Sequence, residues 1–287
     1  MKAADVRTVG VIGCGIMGSG IAEVLARAGR AVVFVEANDE LVERGRARIE
    51  SSTSKALERG KLSEADREVA LSRIRGVTDV AELADVDLVI EAATENLEAK
   101  REVFRRLDEV TRPEVVLASN TSSLPISELG AATKRPDRVI GMHFFNPPPV
   151  MALIELIAGL ETSEETLSFA QEFADRIGKT TVRSKDRAGF IVNMLLVPYL
   201  NAAVRLLDEG VATREDIDTA IHLGLGHPMG PLTLIDLIGL DTMMHVGNVL
   251  FEEFHEPLYA PPPLLKRMVS AGQVGRKSGR GFYEYPT

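Results

Sequence analysis

His143 and Glu155 are the two residues whose types and spacing best suit acid–base chemistry in this chain of 287 residues. His143 ends the apolar run Val139-Ile-Gly-Met-His143, and Glu155 is the one carboxylate in Met151-Ala-Leu-Ile-Glu-Leu-Ile157. Phe144-Phe-Asn-Pro-Pro-Pro149 lies between them. Three prolines make that connection a stiff, extended turn. If both runs are strands, the return strand brings Glu155 back to His143. A carboxylate on one imidazole nitrogen fixes the tautomer and raises the basicity of the other nitrogen. A glutamate among apolar neighbours is costly unless it is paired. The alternative is a strand edge at which Glu155 meets solvent.

A second chemistry is written near the start. Val9, Val11 and Ile12 form a short apolar run, and Gly13, Gly15 and Gly18 follow at GxGxxG spacing. The apolar-periodic stretch Ile21, Val24, Leu25, Ala28 comes next. A strand, a glycine turn and a helix in that order form a pyrophosphate cradle. The first glycine turns the chain, the second admits the ligand to the backbone, and the third lets helix and sheet pack. The N–H groups and the positive dipole end of the new helix face the anion. Ala31-Val-Val-Phe-Val35 reads as the next strand and ends in Glu36, eighteen residues past Gly18. This is close to the offset of about 20 at which a carboxylate accepts from ribose hydroxyls. No Arg or Lys stands beside Glu36 to hold a 2′-phosphate, so the expected cofactor is NAD. A solvated strand-end glutamate is the plainer alternative.

The elements that must position these residues alternate. Strands are read at Asp87–Ala92, Val115–Ser119, Val139–His143, Met151–Ile157 and Thr180–Arg183, with helices between them. Ligands bind at the carboxyl ends of such strands, which makes residues 92–100 cofactor-side candidates. Ser122 or Ser123 also suits a plain helix cap ahead of Pro125. From Ala188 the pattern is helical, beginning with a long apolar helix that contains Asn193 and Pro198, where a kink is expected. The fold class predicted is α/β: a doubly wound Rossmann-type sheet over residues 1–186, then an all-α domain over 187–287.

The stretch from Leu41 to Lys61 carries six basic and three acidic residues in a chain of net charge −9. Lys55 and Arg59, four apart, share a helix face. That face is either solvated or a dock for a phosphorylated handle. The net negative charge argues against nucleic-acid binding. No apolar stretch reaches the roughly 20 residues of a membrane span. The N-terminus lacks a signal-peptide pattern, and Cys14 is the only cysteine. A cytoplasmic protein is expected. No HExxH motif or cysteine cluster points to a metal, and His222, His227, His245 and His255 are read as structural. Because Cys14 sits at a helix N-terminus, a lowered thiol pKa is expected there, with oxidation obstructing the pyrophosphate.

Several stretches together resemble the short-chain L-3-hydroxyacyl-CoA dehydrogenases: GVIGCGIMGSGIAEVLARAG, ASNTSSLPI, HFFNPPPVMALIELI, DRAGFIVNMLLVPYLNAA, LGHPMGPLTLIDLIGLD and GRKSGRGFYEY. The resemblance implies NAD-dependent oxidation of a 3-hydroxyacyl-CoA, with His143 and Glu155 as the catalytic pair. Ser122 and Asn193 would stand near the substrate oxygen. It implies cofactor contacts on Gly13, Gly15, Ile16, Met17, Gly18, Glu36, Ala92, Glu95, Lys100 and Asn120. CoA contacts would fall on Ser52, Lys55 and Arg59. The seam between the domains is expected to hold the substrate, and the apolar second domain to form a homodimer. A carrier-protein thioester satisfies the same residues. A hydroxyisobutyrate-type enzyme would use a lysine instead, and an idle NAD-binding protein would have no use for all four site residues.

Overall fold

The computed structural model describes residues 2–286. The chain divides into two compact units, the first ending at Arg187 and the second opening at Ala188.

The first unit is built on one sheet of eight strands. These are β1 (Thr8–Ile12), β2 (Ala31–Val35), β3 (Ile74–Val77), β4 (Leu88–Glu91), β5 (Val116–Ser119), β6 (Val139–Phe144), β7 (Leu153–Ala158) and β8 (Thr180–Lys185). Their order is β3-β2-β1-β4-β5-β6-β7-β8. The six strands β1 to β6 are mutually parallel. β7 runs antiparallel to β6, and β8 is parallel to β7. The helices are α1 (Ile16–Arg27), α2 (Asp39–Glu58), α3 (Glu64–Ser72), α4 (Leu97–Val110), α5 (Ile126–Gly130) and α6 (Glu164–Arg176). Central strands covered on both faces read as continuous apolar runs. β1, β4, β5 and β6 do so, and Val9, Val11, Leu88, Ile90, Leu117 and Ile140 have no exposed surface. The strand order reverses between β1 and β4, which opens a crevice at the carboxyl edge.

The doubly wound sheet is the predicted one, with one strand more. β3 gives no strand signal because Ile74-Arg-Gly-Val77 interrupts its apolar pattern. A Cβ on Gly76 would lie 2.4 Å from Phe34 Cζ and 2.6 Å from Val42 Cγ1, so β2 and α2 leave room there only for glycine. The N-terminus of α5 also departs from expectation. Neither Ser122 nor Ser123 caps it. Asp186, just past β8, accepts from the N–H of Ile126 and of Ser127, each at 2.8 Å, and from Ser127 Oγ at 2.6 Å.

The second unit is helical: α7 (Val192–Asp208), α8 (Arg214–Gly224), α9 (Pro231–Ile238), α10 (Leu240–Phe254) and α11 (Pro263–Ser270). α7 continues through Pro198. Val197, Leu200 and Val204 of α7 join Leu232, Ile235, Leu240, Leu250, Leu265 and Phe282 in one core. The C-terminal stretch is tied down by buried Asp236, whose carboxylate accepts from the N–H of Phe282 and Tyr283 and from Tyr285 Oη at 2.9, 2.9 and 3.0 Å. No single helix among the described residues is long and apolar enough to cross a membrane.

Removing a helix cap costs about 0.5–2 kcal/mol, so Asp186→Ala is expected to lower stability by that amount in urea unfolding. An unchanged midpoint and slope would show that α5 needs no cap from β8.

Candidate active site

The pairing of β6 with β7 decides the geometry. Antiparallel register sets His143 directly opposite Glu155. Side chains directly opposite on such a pair share a face, with Cβ atoms about 5 Å apart. Here His143 Nδ1 lies 2.7 Å from Glu155 Oε2. Glu155 has no exposed surface and His143 only 7%. Glu155 is therefore not a strand-edge carboxylate in solvent. Burial of an unpaired carboxylate is strongly unfavourable, and the imidazole relieves it. The Phe145 ring packs against His143 with centroids 4.6 Å apart.

Ser122 reaches the same edge from the neighbouring strand. β5 and β6 are in register at Ser119 and Gly141. Ser122 and His143 thus lie three and two residues beyond a matched pair, both past the carboxyl ends or at them. Asn120 ties the two strands together, its Oδ1 accepting from the N–H of Phe144 at 2.9 Å. Glu95 holds the serine loop. Its Oε1 accepts from Thr121 Oγ1 at 2.5 Å, the N–H of Ser122 at 3.0 Å and Ser123 Oγ at 3.3 Å. Burial alone would raise the Glu95 pKa. Lys100, together with the bonds from Thr121 and Ser122, outweighs it, and the carboxyl lies below its ordinary value. Lys100 itself is 1% exposed, with its ammonium 2.6 Å from Glu91 Oε1 and 3.5 Å from Glu95 Oε2.

The glycine loop has the shape of a dinucleotide cradle. Gly13 has φ +82, and a Cβ on Gly18 would fall 1.8 Å from the Gly13 carbonyl oxygen. Over Gly15 the space is open, with nothing within 4 Å of a built Cβ. Gly15 begins α1 without a side-chain cap, which leaves first-turn N–H groups for an anion. Ile16 and Met17 form that first turn. Glu36 follows β2, and its Oε1 accepts from the N–H of Cys14 at 2.5 Å. Ala92 follows β4, with its N–H donating to the Ile12 carbonyl at 2.8 Å.

On α2, Ser52 is half-buried and Lys55 exposed; Arg59, the C-cap just past the helix, is exposed as well. Neither cation forms an ion pair with another described residue. Asn193 occupies the first turn of α7 in the second unit and is half-buried.

Residues 8–187 match the NAD-binding domain of the 3-hydroxyacyl-CoA dehydrogenases, and residues 189–285 match their C-terminal domain. A 3-hydroxybutyryl-CoA dehydrogenase of Mycobacterium tuberculosis is 54% identical over 98% of this chain and 99% of its own. The crystal structure of FadB2 from M. tuberculosis superposes with a TM-score of 0.96 at 53% identity, over 98% of this chain and 99% of that one. That of the (S)-3-hydroxybutyryl-CoA dehydrogenase PaaH1 from Ralstonia eutropha gives 0.92 at 47%, over 99% and 100%.

The chain belongs to the 3-hydroxyacyl-CoA dehydrogenase family.

It is accordingly an NAD-dependent oxidoreductase. One expectation about this dehydrogenase fails. Cys14 is fully buried. Burial pushes its thiol up to about 12, the Glu36 carboxylate adds to the rise, and Arg48 offsets only part of it. Proximity to a helix N-terminus loses to depth: the thiol is raised rather than lowered, and the side chain is shut away from solvent, against the expectation of a reactive cysteine at the pyrophosphate loop. One residue of the site escaped the sequence reading altogether: Glu91, with no exposed surface. Its signal resembled that of Glu155, a carboxylate closing the apolar run Leu88-Val-Ile-Glu91.

Native dehydrogenase is expected to resist iodoacetamide at pH 8 for hours and to react fully in denaturant. Rapid native labelling would contradict the buried thiol.

Proposed function

We propose that the dehydrogenase oxidises (S)-3-hydroxyacyl-CoA, with 3-hydroxybutyryl-CoA as the foremost substrate, and also catalyses the reverse reduction. The buried His143–Glu155 pair carries this reading, in a chain whose relative from M. tuberculosis is named for 3-hydroxybutyryl-CoA.

Bound NAD supplies the acceptor for the hydride that leaves substrate C3. Glu155 holds Nδ1 of His143, so Nε2 is the nitrogen that takes the proton of the 3-hydroxyl. The imidazolium that forms is stabilised by the same carboxylate. Ser122 and Asn193 donate hydrogen bonds to the substrate oxygen as its charge changes. Gly13, Gly15, Ile16, Met17 and Gly18 seat the pyrophosphate, and Glu36 accepts from the adenosine ribose. Ala92, Glu95 and Asn120 line the cofactor side, and Lys100 contributes there by way of Glu95. Ser52, Lys55 and Arg59 receive the phosphorylated end of CoA.

We further infer a cytoplasmic homodimer. The lone buried thiol suits a reducing compartment. Along α7, Leu195 is 71% exposed and Leu206 42%, an apolar face opposite the one that enters the core. The unit boundary between Arg187 and Ala188 supports a cofactor domain followed by a separate helical domain, to which Asn193 and the apolar face of α7 assign substrate and dimer contacts.

Acid–base catalysis of this kind contributes about 10²–10⁴ in rate. His143→Ala is therefore expected to lose that factor in kcat, with NADH affinity by fluorescence titration unchanged; near-normal turnover would overturn the assignment. Reversing Lys55 and Arg59 to Glu should raise KM for acetoacetyl-CoA at least tenfold and leave KM for the pantetheine thioester within about twofold, on the footing that a desolvated charge-assisted contact contributes about 1.5–3 kcal/mol. Equal effects on both thioesters would remove the handle from α2.

A further inference from the structure

Both oxygens of Glu91 are used inside the sheet, and both lead to the serine loop. Oε1 accepts from Lys100 Nζ at 2.6 Å and from the N–H of Ala93 at 2.7 Å. Lys100 Nζ then stands 3.5 Å from Glu95 Oε2, and the other Glu95 oxygen holds Thr121, Ser122 and Ser123. Oε2 accepts from Ser119 Oγ at 2.6 Å, and that hydroxyl accepts from the N–H of Thr121 at 3.2 Å. Thr121 Oγ1 in turn accepts from the N–H of Leu124 at 2.9 Å. Two routes therefore leave one buried carboxylate and meet on residues 119–124.

We propose that Glu91 is a positioning residue, which holds Lys100 against Glu95 and so sets the loop that presents Ser122 to the substrate oxygen. This rests on the reading of Ser122 as a donor to that oxygen. An apolar pair of the same volume fills a core at least as well as a buried ion pair. Packing alone thus gives no reason for a carboxylate and an ammonium with 0% and 1% exposure. The reach of the ammonium to Glu95 does. Glu95 keeps 27% of its side-chain surface, and without the lysine its hydrogen bonds from Thr121, Ser122 and Ser123 all fall on Oε1, leaving Oε2 unheld. The lysine fixes one of its oxygens and leaves the other to the loop. Without the charge of Glu91, Glu95 at 3.5 Å is the ammonium's remaining carboxylate, and the buried cation draws it inward, away from Thr121 and Ser122. A donor displaced by about 1 Å lowers turnover by up to about 10²-fold without loosening ground-state binding in proportion.

The test is a kinetic cycle on the full-length enzyme with acetoacetyl-CoA and NADH: wild type, Glu91→Gln, Lys100→Met and the double variant, each with a thermal melt. Glu91→Gln keeps the size and removes the charge. It is expected to lower kcat about 10–100-fold while KM for acetoacetyl-CoA stays within about threefold. In the Lys100→Met background the same change should alter kcat far less than in the wild type, because only the Ser119 route then remains and coupled residues are not additive. A merely structural role would shift the melt and leave this split and this non-additivity absent. Folded Glu91→Gln with kcat within twofold of wild type overturns the proposal alone, and so do multiplicative effects in the double variant. Where Glu91→Gln does not fold, Glu91→Asp takes its place in the cycle. It keeps the charge but falls one methylene short of Lys100, with the same expected outcome. An inactive wild type would overturn the functional reading as well, which separates the two failures.

Discussion

A carboxylate with no access to water sits at the centre of this structure. Glu155 is stable in its place because His143 Nδ1 lies 2.7 Å away. That bond exists because β7 turns back along β6 and sets the two residues in direct register. The reversal breaks an otherwise parallel sheet, and it happens at the carboxyl edge where the crevice opens. The burial that makes the pair expensive in isolation also orients the imidazole and keeps water from competing for Glu155.

The remainder of the first unit delivers groups to the same edge. Parallel strands bring the glycine loop, Glu36, Ala92 and Asn120 to their carboxyl ends in succession. Short polar bonds then pin the loops: Asn120 to the end of β6, Glu95 to the serine loop, Glu36 to the amide of Cys14. Each pin joins residues more than 20 apart in the chain. The sheet sets the loops' origins, and these side chains set their ends. A scaffold whose loops are tied by such bonds suits hydride transfer, which needs the reacting groups held in one geometry.

Much of this was legible from residue types. The glycine spacing between an apolar strand and an apolar-periodic helix announced the cradle, because only glycine tolerates a carbonyl 1.8 Å from where Cβ would sit. A lone carboxylate in an apolar run pointed to Glu155, and the change of period at Ala188 marked the helical unit. Other features depend on packing at a distance. β3 was hidden because Gly76 answers to Phe34 on β2 and Val42 on α2, and Arg75 to Glu82, rather than to strand propensity. The helix α11 is only eight residues long and opens on the Pro261–Pro263 run, so its apolar face is too brief to read from the sequence. The Asp186 cap joins residues 60 apart, a pairing no local pattern records. Cys14 misled for a related reason: sequence places it beside a helix N-terminus, and only the fold shows the depth that decides its pKa.

The central claim is that Glu155 fixes the proton of the neutral His143 ring on Nδ1 and leaves Nε2 as the base. The most direct test is the ¹⁵N spectrum of His143 in the labelled enzyme, assigned by comparison with His143→Ala. The account predicts a protonated Nδ1 and a bare Nε2 in the neutral ring, with that preference lost in Glu155→Gln. A neutral ring carrying its proton on Nε2 in the wild-type enzyme would contradict it.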